Sequence, residues 1–151
     1  MKQRMSASLE FVDTNILLYA FDSTEPDKHS SAKKLLERLW EQQNGCISVQ
    51  VLQEFFVNAT RKLKKPLTRI EARAVLEDYS LWIIHVPSAA EVIMATTLMD
   101  TTSISFWDAM MVTSALELDC RVVWSEDLNA GQKINGLEIH NPFAYSTLHN
   151  V

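Results

Sequence analysis

The chain has 151 residues, a net charge of −5, and 47% hydrophobic against 22% charged residues. That length suits one domain covering 1–151, able to bury roughly two thirds of the surface its unfolded form exposes. The acidic balance argues against a protein that binds nucleic acid by bulk charge. Its longest apolar run, "ILLYAF", is far short of the roughly 20 residues that a membrane span needs.

In chain order, the N-terminal "MKQRMSASLEFVD" starts positive but has no long apolar stretch behind it, so no signal peptide is expected and the cytoplasm is the expected compartment. "LEFVD" (9–13) reads as a strand, followed by a helix opening on "ILLYAF". Pro26 suits the first position of a helix over 26–43, with Ala32, Leu35, Leu36, Leu39 and Trp40 on one face. "GCISV" (45–49) is the second strand, and "SVQVLQEFFVNATRKLKK" is expected to be one helix running to Lys65. "TRIE" (68–71) and "SAAE" (88–91) have the Ser/Thr-x-x-Glu spacing of a capping box, and "SFWD" (105–108) is its looser form. "WIIHV" (82–86), "RVVWS" (121–125) and "LEIHN" (137–141) complete the strands.

Four of the five strands are almost continuously apolar, which suits strands covered on both faces and hence a parallel sheet. Alternating strands and helices predict an α/β fold, a three-layer α/β/α sandwich around a mostly parallel central sheet. Trp107, Trp124 and the six methionines are expected in the core, and Cys46 and Cys120 as reduced, mostly buried thiols. Apolar residues left over on the helices at 26–43 and 68–82 mark candidate contact surfaces.

Ligands of such sheets bind outside the carboxyl ends of the strands. Asp13 ends the first strand there, although an Asp in that position is also an ordinary helix cap. Asp127 follows the strand ending in Ser125, in a turn where Asp, Asn and Ser are all common. Asp108 either completes the "SFWD" box or faces the same crevice from a helix N-terminus. Glu54 shares a polar stripe with Gln50, Asn58 and Arg61, within about 40° around the helix and opposite Leu52, Phe56, Ala59 and Leu63. Residues 61–73, "RKLKKPLTRIEAR", carry six basic residues and one acid. This cluster is either a solvated face or a track for a polyanion.

Taken singly, each acid has a local explanation. Together, three of them are assigned to the crevice edge and Glu54 to the early part of a helix that leaves it, and four converging carboxylates would repel one another unless a cation joined them. Carboxylates, waters and phosphate oxygens are the ligands of hard cations such as Mg²⁺ or Mn²⁺. Three glycines in the whole chain leave no Walker or GxGxxG loop. The four histidines lack zinc spacing. Asn15 stands where an aspartyl phosphotransferase would need its second acid.

In this order, "FVDTNILLYAFD", "SVQVLQEFFVNATRK" and "SFWDAMMVTSALELDCRVVWSEDLNAGQKINGLEIHNPF" resemble the motifs of PIN-domain nucleases. The similarity is greatest to the VapC-like toxins of bacterial toxin–antitoxin pairs and covers essentially the whole chain. The resemblance implies a Mg²⁺- or Mn²⁺-dependent ribonuclease with Asp13, Glu54, Asp108 and Asp127 as metal ligands and Asn15 and Ser125 in support. It also implies an RNA substrate contacted by Arg61, Lys62, Lys64 and Lys65, a small antitoxin partner and a homodimer. Leu128 and Asn129 stand where many members carry a further acid and an aromatic, which leaves the part played by Glu126 open. Two other readings stand beside this one: a PIN-like binding or regulatory module with little catalysis, and a Mg²⁺-dependent phosphatase.

Overall fold

The structure, a computed structural model, describes residues 7–144; Met1, Met5 and His149 lie outside the described residues. Within them the chain runs β1 (Glu10–Val12), α1 (Thr14–Tyr19), α2 (Pro26–Gln42), β2 (Gly45–Ser48), α3 (Val49–Arg61) and α4 (Arg69–Tyr79). It continues through β3 (Ile83–His85), α5 (Ala89–Thr101), α6 (Phe106–Glu117), β4 (Val122–Trp124), β5 (Lys133–Ile134) and β6 (Leu137–His140). The sheet order is β3-β2-β1-β4-β6-β5, parallel except for the β5–β6 hairpin.

This order decides the layers. The crossovers from β1 to β2 and from β2 to β3 step one way along the sheet, while β3 to β4 returns the other way. Right-handed crossovers therefore put α1–α4 on one face and α5 and α6 on the other. The helix packing agrees: α1 lies against α2 and α3, α3 against α4, and α5 against α6. The expected three-layer α/β/α sandwich is what forms. Its core includes Phe11, Ile16, Leu39, Ile47, Val112, Val123 and Ile139, all buried. Because β1 leads one way and β4 leads the other, the chain reverses direction between these two neighbours. A crevice opens at their carboxyl ends.

Helix boundaries follow the local signals. Pro26 sits at the start of α2, and Thr68 and Ser88 close full capping boxes with Glu71 and Glu91. At α6 the box is only half made. Ser105 Oγ accepts from the Asp108 N–H, and no bond returns from the Asp108 carboxylate to the Ser105 N–H.

Five expectations change. Helix α3 stops at Arg61, and the Leu67 N–H donates to Ala59 O, turning the chain back so that Lys62, Lys64 and Lys65 leave the helix. The buried face of α3 is Val51, Phe55 and Ala59, so Glu54 borders the packed side instead of lying opposite it. Trp107 is 62% exposed, and Met94 and Met99 are exposed too, leaving Met110 and Met111 as core. β3 is the sheet's outer strand, which leaves Ile83 39% exposed despite its apolar neighbours. β5, two residues long, was not expected; Asn135 and Gly136 both have positive φ, as a two-residue hairpin turn requires.

Within 68–82 Ile70 and Leu81 are exposed, α2 keeps no large exposed apolar side chain, and others fall on α3 (Val57) and α5 (Val92, Ile93, Met94, Met99). Cys46 and Cys120 are free and buried, as expected. No helix of the described residues is long and apolar enough to cross a membrane.

Candidate active site

Asp13 leaves β1 at the point of reversal, where its N–H donates to the Trp124 carbonyl of β4. It is the N-cap of α1, so the local reading of the sequence is correct as far as it goes. The carboxylate does more than cap. One oxygen accepts from Thr14 N–H at 2.6 Å and the other from Ser125 Oγ at 2.9 Å, across 112 residues of chain. The side chain is buried, and burial is the main reason its pKa rises to about 7, reinforced by the nearby Asp127 and Asp108 charges. The same forces act on Asp108: partial burial first, then Asp127 and Glu54, push its pKa up.

Asp13, Asp108 and Asp127 therefore lie within electrostatic reach of one another and Glu54 within reach of Asp108, and uncharged neighbours hold three of the four. Thr14 Oγ1 donates to one Glu54 oxygen at 3.0 Å and Gln50 Nε2 to the other at 2.7 Å. Gln50 Nε2 also reaches the carbonyl of Trp107 at 3.3 Å, tying α3 to the start of α6 beside Asp108. Asn15 Nδ2 donates to Asp127 Oδ2 at 2.8 Å. Asp127 does not hold its turn; the fully buried Ser125 does, its Oγ accepting from the N–H groups of Asp127 and Leu128.

Glu126 is engaged elsewhere. Tyr19 Oη donates to one of its oxygens at 2.9 Å and Lys28 Nζ to the other at 2.5 Å. Lys28 also lies 4.9 Å from the Tyr19 ring centroid and 5.5 Å from that of Phe143. Both carboxylate oxygens of Glu126 are thus taken, so it anchors the turn that carries Asp127.

Sequence reasoning missed Thr14, Tyr19 and Lys28. Thr14 adjoins Asp13 and sits in the first turn of a helix at a sheet edge, a detectable clue. Lys28 and Glu126 are 98 positions apart, and nothing local in either segment signals the pairing. Gln50 was visible as part of the polar stripe. Of the basic residues, Arg61 ends α3 on the Glu54 stripe, and Lys62, Lys64 and Lys65 stand exposed in the turn beyond it.

The groups that could hold a cation are carboxylate and hydroxyl oxygens, the two amides being turned with their nitrogens to the acids, and such a set suits a hard cation. Among the described residues no three His, Cys, Asp or Glu side chains form a ready-made metal-binding group. The fit to Mg²⁺ or Mn²⁺ rests on donor chemistry and on the charge crowded around Asp13.

A parallel α/β sheet with carboxylates from both helical layers at its reversal point defines a class of acidic-site α/β domains. Residues 11–133 match the PIN domain, and the chain belongs to the PIN-domain family. No curated protein sequence matches it. Its fold is similar to that in a toxin–antitoxin complex from Klebsiella pneumoniae (TM-score 0.67, 19% identity, covering 88% of this chain and 97% of that one). It is likewise similar to the DNA-bound VapBC of Salmonella typhimurium (TM-score 0.64, 19% identity, 90% and 99% covered). A third is Mycobacterium tuberculosis VapC20, described as a sarcin–ricin loop cleaving toxin (TM-score 0.58, 19% identity, 76% and 86% covered).

Proposed function

We propose that this protein is a Mg²⁺- or Mn²⁺-dependent endoribonuclease, the toxin of a toxin–antitoxin pair. Asp13, Glu54, Asp108 and Asp127 would supply the ligands for one or two such cations. The observation that carries this reading is a buried Asp13 raised to about 7 with two further carboxylates in electrostatic reach. A domain that needed this edge only for folding gains nothing from that repulsion.

The bound cation would supply a lowered pKa for water and charge stabilisation at the departing 3′-oxygen. The chain's own residues do the rest. Ser125 and Thr14 fix the carboxylate plane of Asp13, Asn15 fixes Asp127, and Gln50 with Thr14 fixes Glu54, so orientation is settled before substrate arrives. A carboxylate not spent on the cation orients the attacking water and takes its proton. The water oxygen bonds to phosphorus, the P–O3′ bond breaks, and the 3′-oxygen leaves as a hydroxyl once protonated. Arg61, Lys62, Lys64 and Lys65 supply sequence-independent phosphate contacts.

Membership of the PIN family and the likeness of the fold to toxin–antitoxin proteins support an antitoxin partner and a cytoplasmic setting. The exposed apolar residues of α5 suit the face of a homodimer. Labelled single-stranded RNA incubated with and without Mg²⁺ tests the reading. Cleavage should need Mg²⁺ and should fall by orders of magnitude in Asp13→Asn, Glu54→Gln and Asp108→Asn. Pairing two of these should cost far less than the product of the singles, since they act as one unit. RNA bound but never cut would favour the binding module, and phosphate released from monoesters alone would favour the phosphatase.

A further inference from the structure

The turn after α3 does something that the sequence does not announce. By bonding Leu67 N–H to Ala59 O, it brings the first residue of α4, Arg69, beside the last residue of α3, Arg61. Together with Phe56, Val57 and Thr60 they line a groove of about 350 Å³. Neither guanidinium has a carboxylate or other hydrogen-bond acceptor among the described residues. The one acid of this segment, Glu71, is occupied by the Thr68 N–H at 2.9 Å in its capping box. Two free guanidiniums therefore face a groove with an apolar floor, in a segment of +5 within a chain of −5.

Position adds direction. Arg61 follows Glu54 by seven residues, so it lies on the same face of α3 about 10 Å further along the helix. Of the groove's lining only Arg61 shares that face, while Phe56 and Thr60 lie round the helix from Glu54, so a polyanion leaving the carboxylates reaches Arg61 first and must turn there into the groove. Planar guanidiniums suit phosphate oxygens, and Phe56 and Val57 offer a surface on which an unstacked base can lie. Double-stranded nucleic acid exposes no such base face, so the groove favours a single strand.

We propose that the Arg61–Arg69 groove is a phosphate subsite for single-stranded nucleic acid, with Arg69 as a contact residue and the adjacent base resting on Phe56 and Val57. The placement of this subsite relative to the cut bond rests on the nuclease reading above; its binding of phosphate does not.

The experiment keeps the two apart. A fluorescein-labelled decauridylate is titrated against the full-length protein in EDTA, where nothing is cut, at several salt concentrations. Arg69→Gln should weaken binding about tenfold and reduce the salt slope by about 0.7, the value for one phosphate contact on a single strand. Lys33→Gln/Lys34→Gln, which removes more charge from an exposed part of α2, should leave both nearly unchanged. An equal loss in that control would reduce the effect to bulk charge and overturn the subsite. So would unaltered binding by Arg69→Gln, or tighter binding of duplex or of polyglutamate than of decauridylate. In Mg²⁺, Arg69→Gln should raise KM with kcat preserved. If no variant cleaves, the nuclease reading fails while the EDTA result still decides the groove.

Discussion

Replacing Asp13 by Asn in the metal-free protein should stabilise the fold. Asp13 has a folded pKa of about 7 against an ordinary value of 3.8, raised chiefly by burial. A carboxyl group whose folded pKa is raised favours the native state when protonated. Below about pH 4 it is protonated in both states and contributes nothing. Between about pH 4 and 7 the unfolded chain ionises freely and the folded one does not, so stability is lost, and above pH 7 the whole penalty stands. A shift of about three units corresponds to roughly 4 kcal/mol as an upper limit. Asn removes the charge yet keeps an amide oxygen to accept from Thr14 N–H or Ser125 Oγ, which are 2.6 and 2.9 Å from the carboxylate. At pH 8 in EDTA, Asp13→Asn should therefore melt higher, by up to roughly 8 to 16 °C for a domain of this size. The gain should shrink to nothing near pH 4. Mg²⁺ should narrow that gap: at a hundredfold excess over its dissociation constant it stabilises the wild type by roughly 2.7 kcal/mol and the variant by little. Melting curves across pH 4–8, with EDTA and with a Mg²⁺ series, measure both effects. If Asp13→Asn melts lower at pH 8 in EDTA, Asp13 is a helix cap and the crowded-charge account is wrong.

Two further expectations concern the hydrogen bonds that hold the acids. Ser125→Ala deletes a buried hydroxyl that donates to Asp13 and accepts from the Asp127 and Leu128 N–H groups; it should cost about 1–3 kcal/mol in chemical denaturation, and an unchanged midpoint would show that water replaces it. Lys28→Met frees Glu126 from a partly exposed ion pair whose two side chains are 37% and 23% accessible; global stability should change by less than about 1 kcal/mol. Hydrogen exchange at the Asp127 and Leu128 amides should nonetheless quicken several-fold, and unaltered exchange would mean that Ser125 alone holds the turn.

Much of this fold is legible in the sequence because buried parallel strands read as unbroken apolar runs. "EFV", "GCIS" and "VVW" needed no partner information to be placed. β3 misled because the sequence of an outer strand resembles that of a central one; only the sheet order tells them apart. Trp107 misled for a similar reason. Its spacing suits a core, but it sits in the first turn of α6 at the crevice, where no layer covers it. The acids were legible through their order and through the rule that ligands bind at the carboxyl edge. What fixes them was mostly hidden, since the bonds from Asn15 to Asp127 and from Ser125 to Asp13 each span 112 residues. Long-range polar pairs leave no periodicity in a single chain.

The pattern of those bonds also explains how four acids can share an edge without forming a closed cage. Three of the four carboxylates are steadied by neutral side-chain donors: Asp13 by Ser125, Glu54 by Thr14 and Gln50, Asp127 by Asn15. Neutral donors offset part of what burial does without cancelling the charge, so burial first and the neighbouring acids second keep the pKa of Asp13 and Asp108 raised. Cationic donors would have behaved differently. Lys28 neutralises Glu126 outright, and an acid paired in that way has little left to offer a metal ion. Mg²⁺ keeps several waters and takes one or two carboxylates together with substrate phosphate, so it does not require three acids drawn tightly together. An edge of oriented, unneutralised carboxylates with room for water and a phosphodiester suits such a cation better than a compact cage would. The division of labour follows from charge: uncharged side chains orient the acids that must stay anionic, and the one lysine at this corner holds the acid that does not.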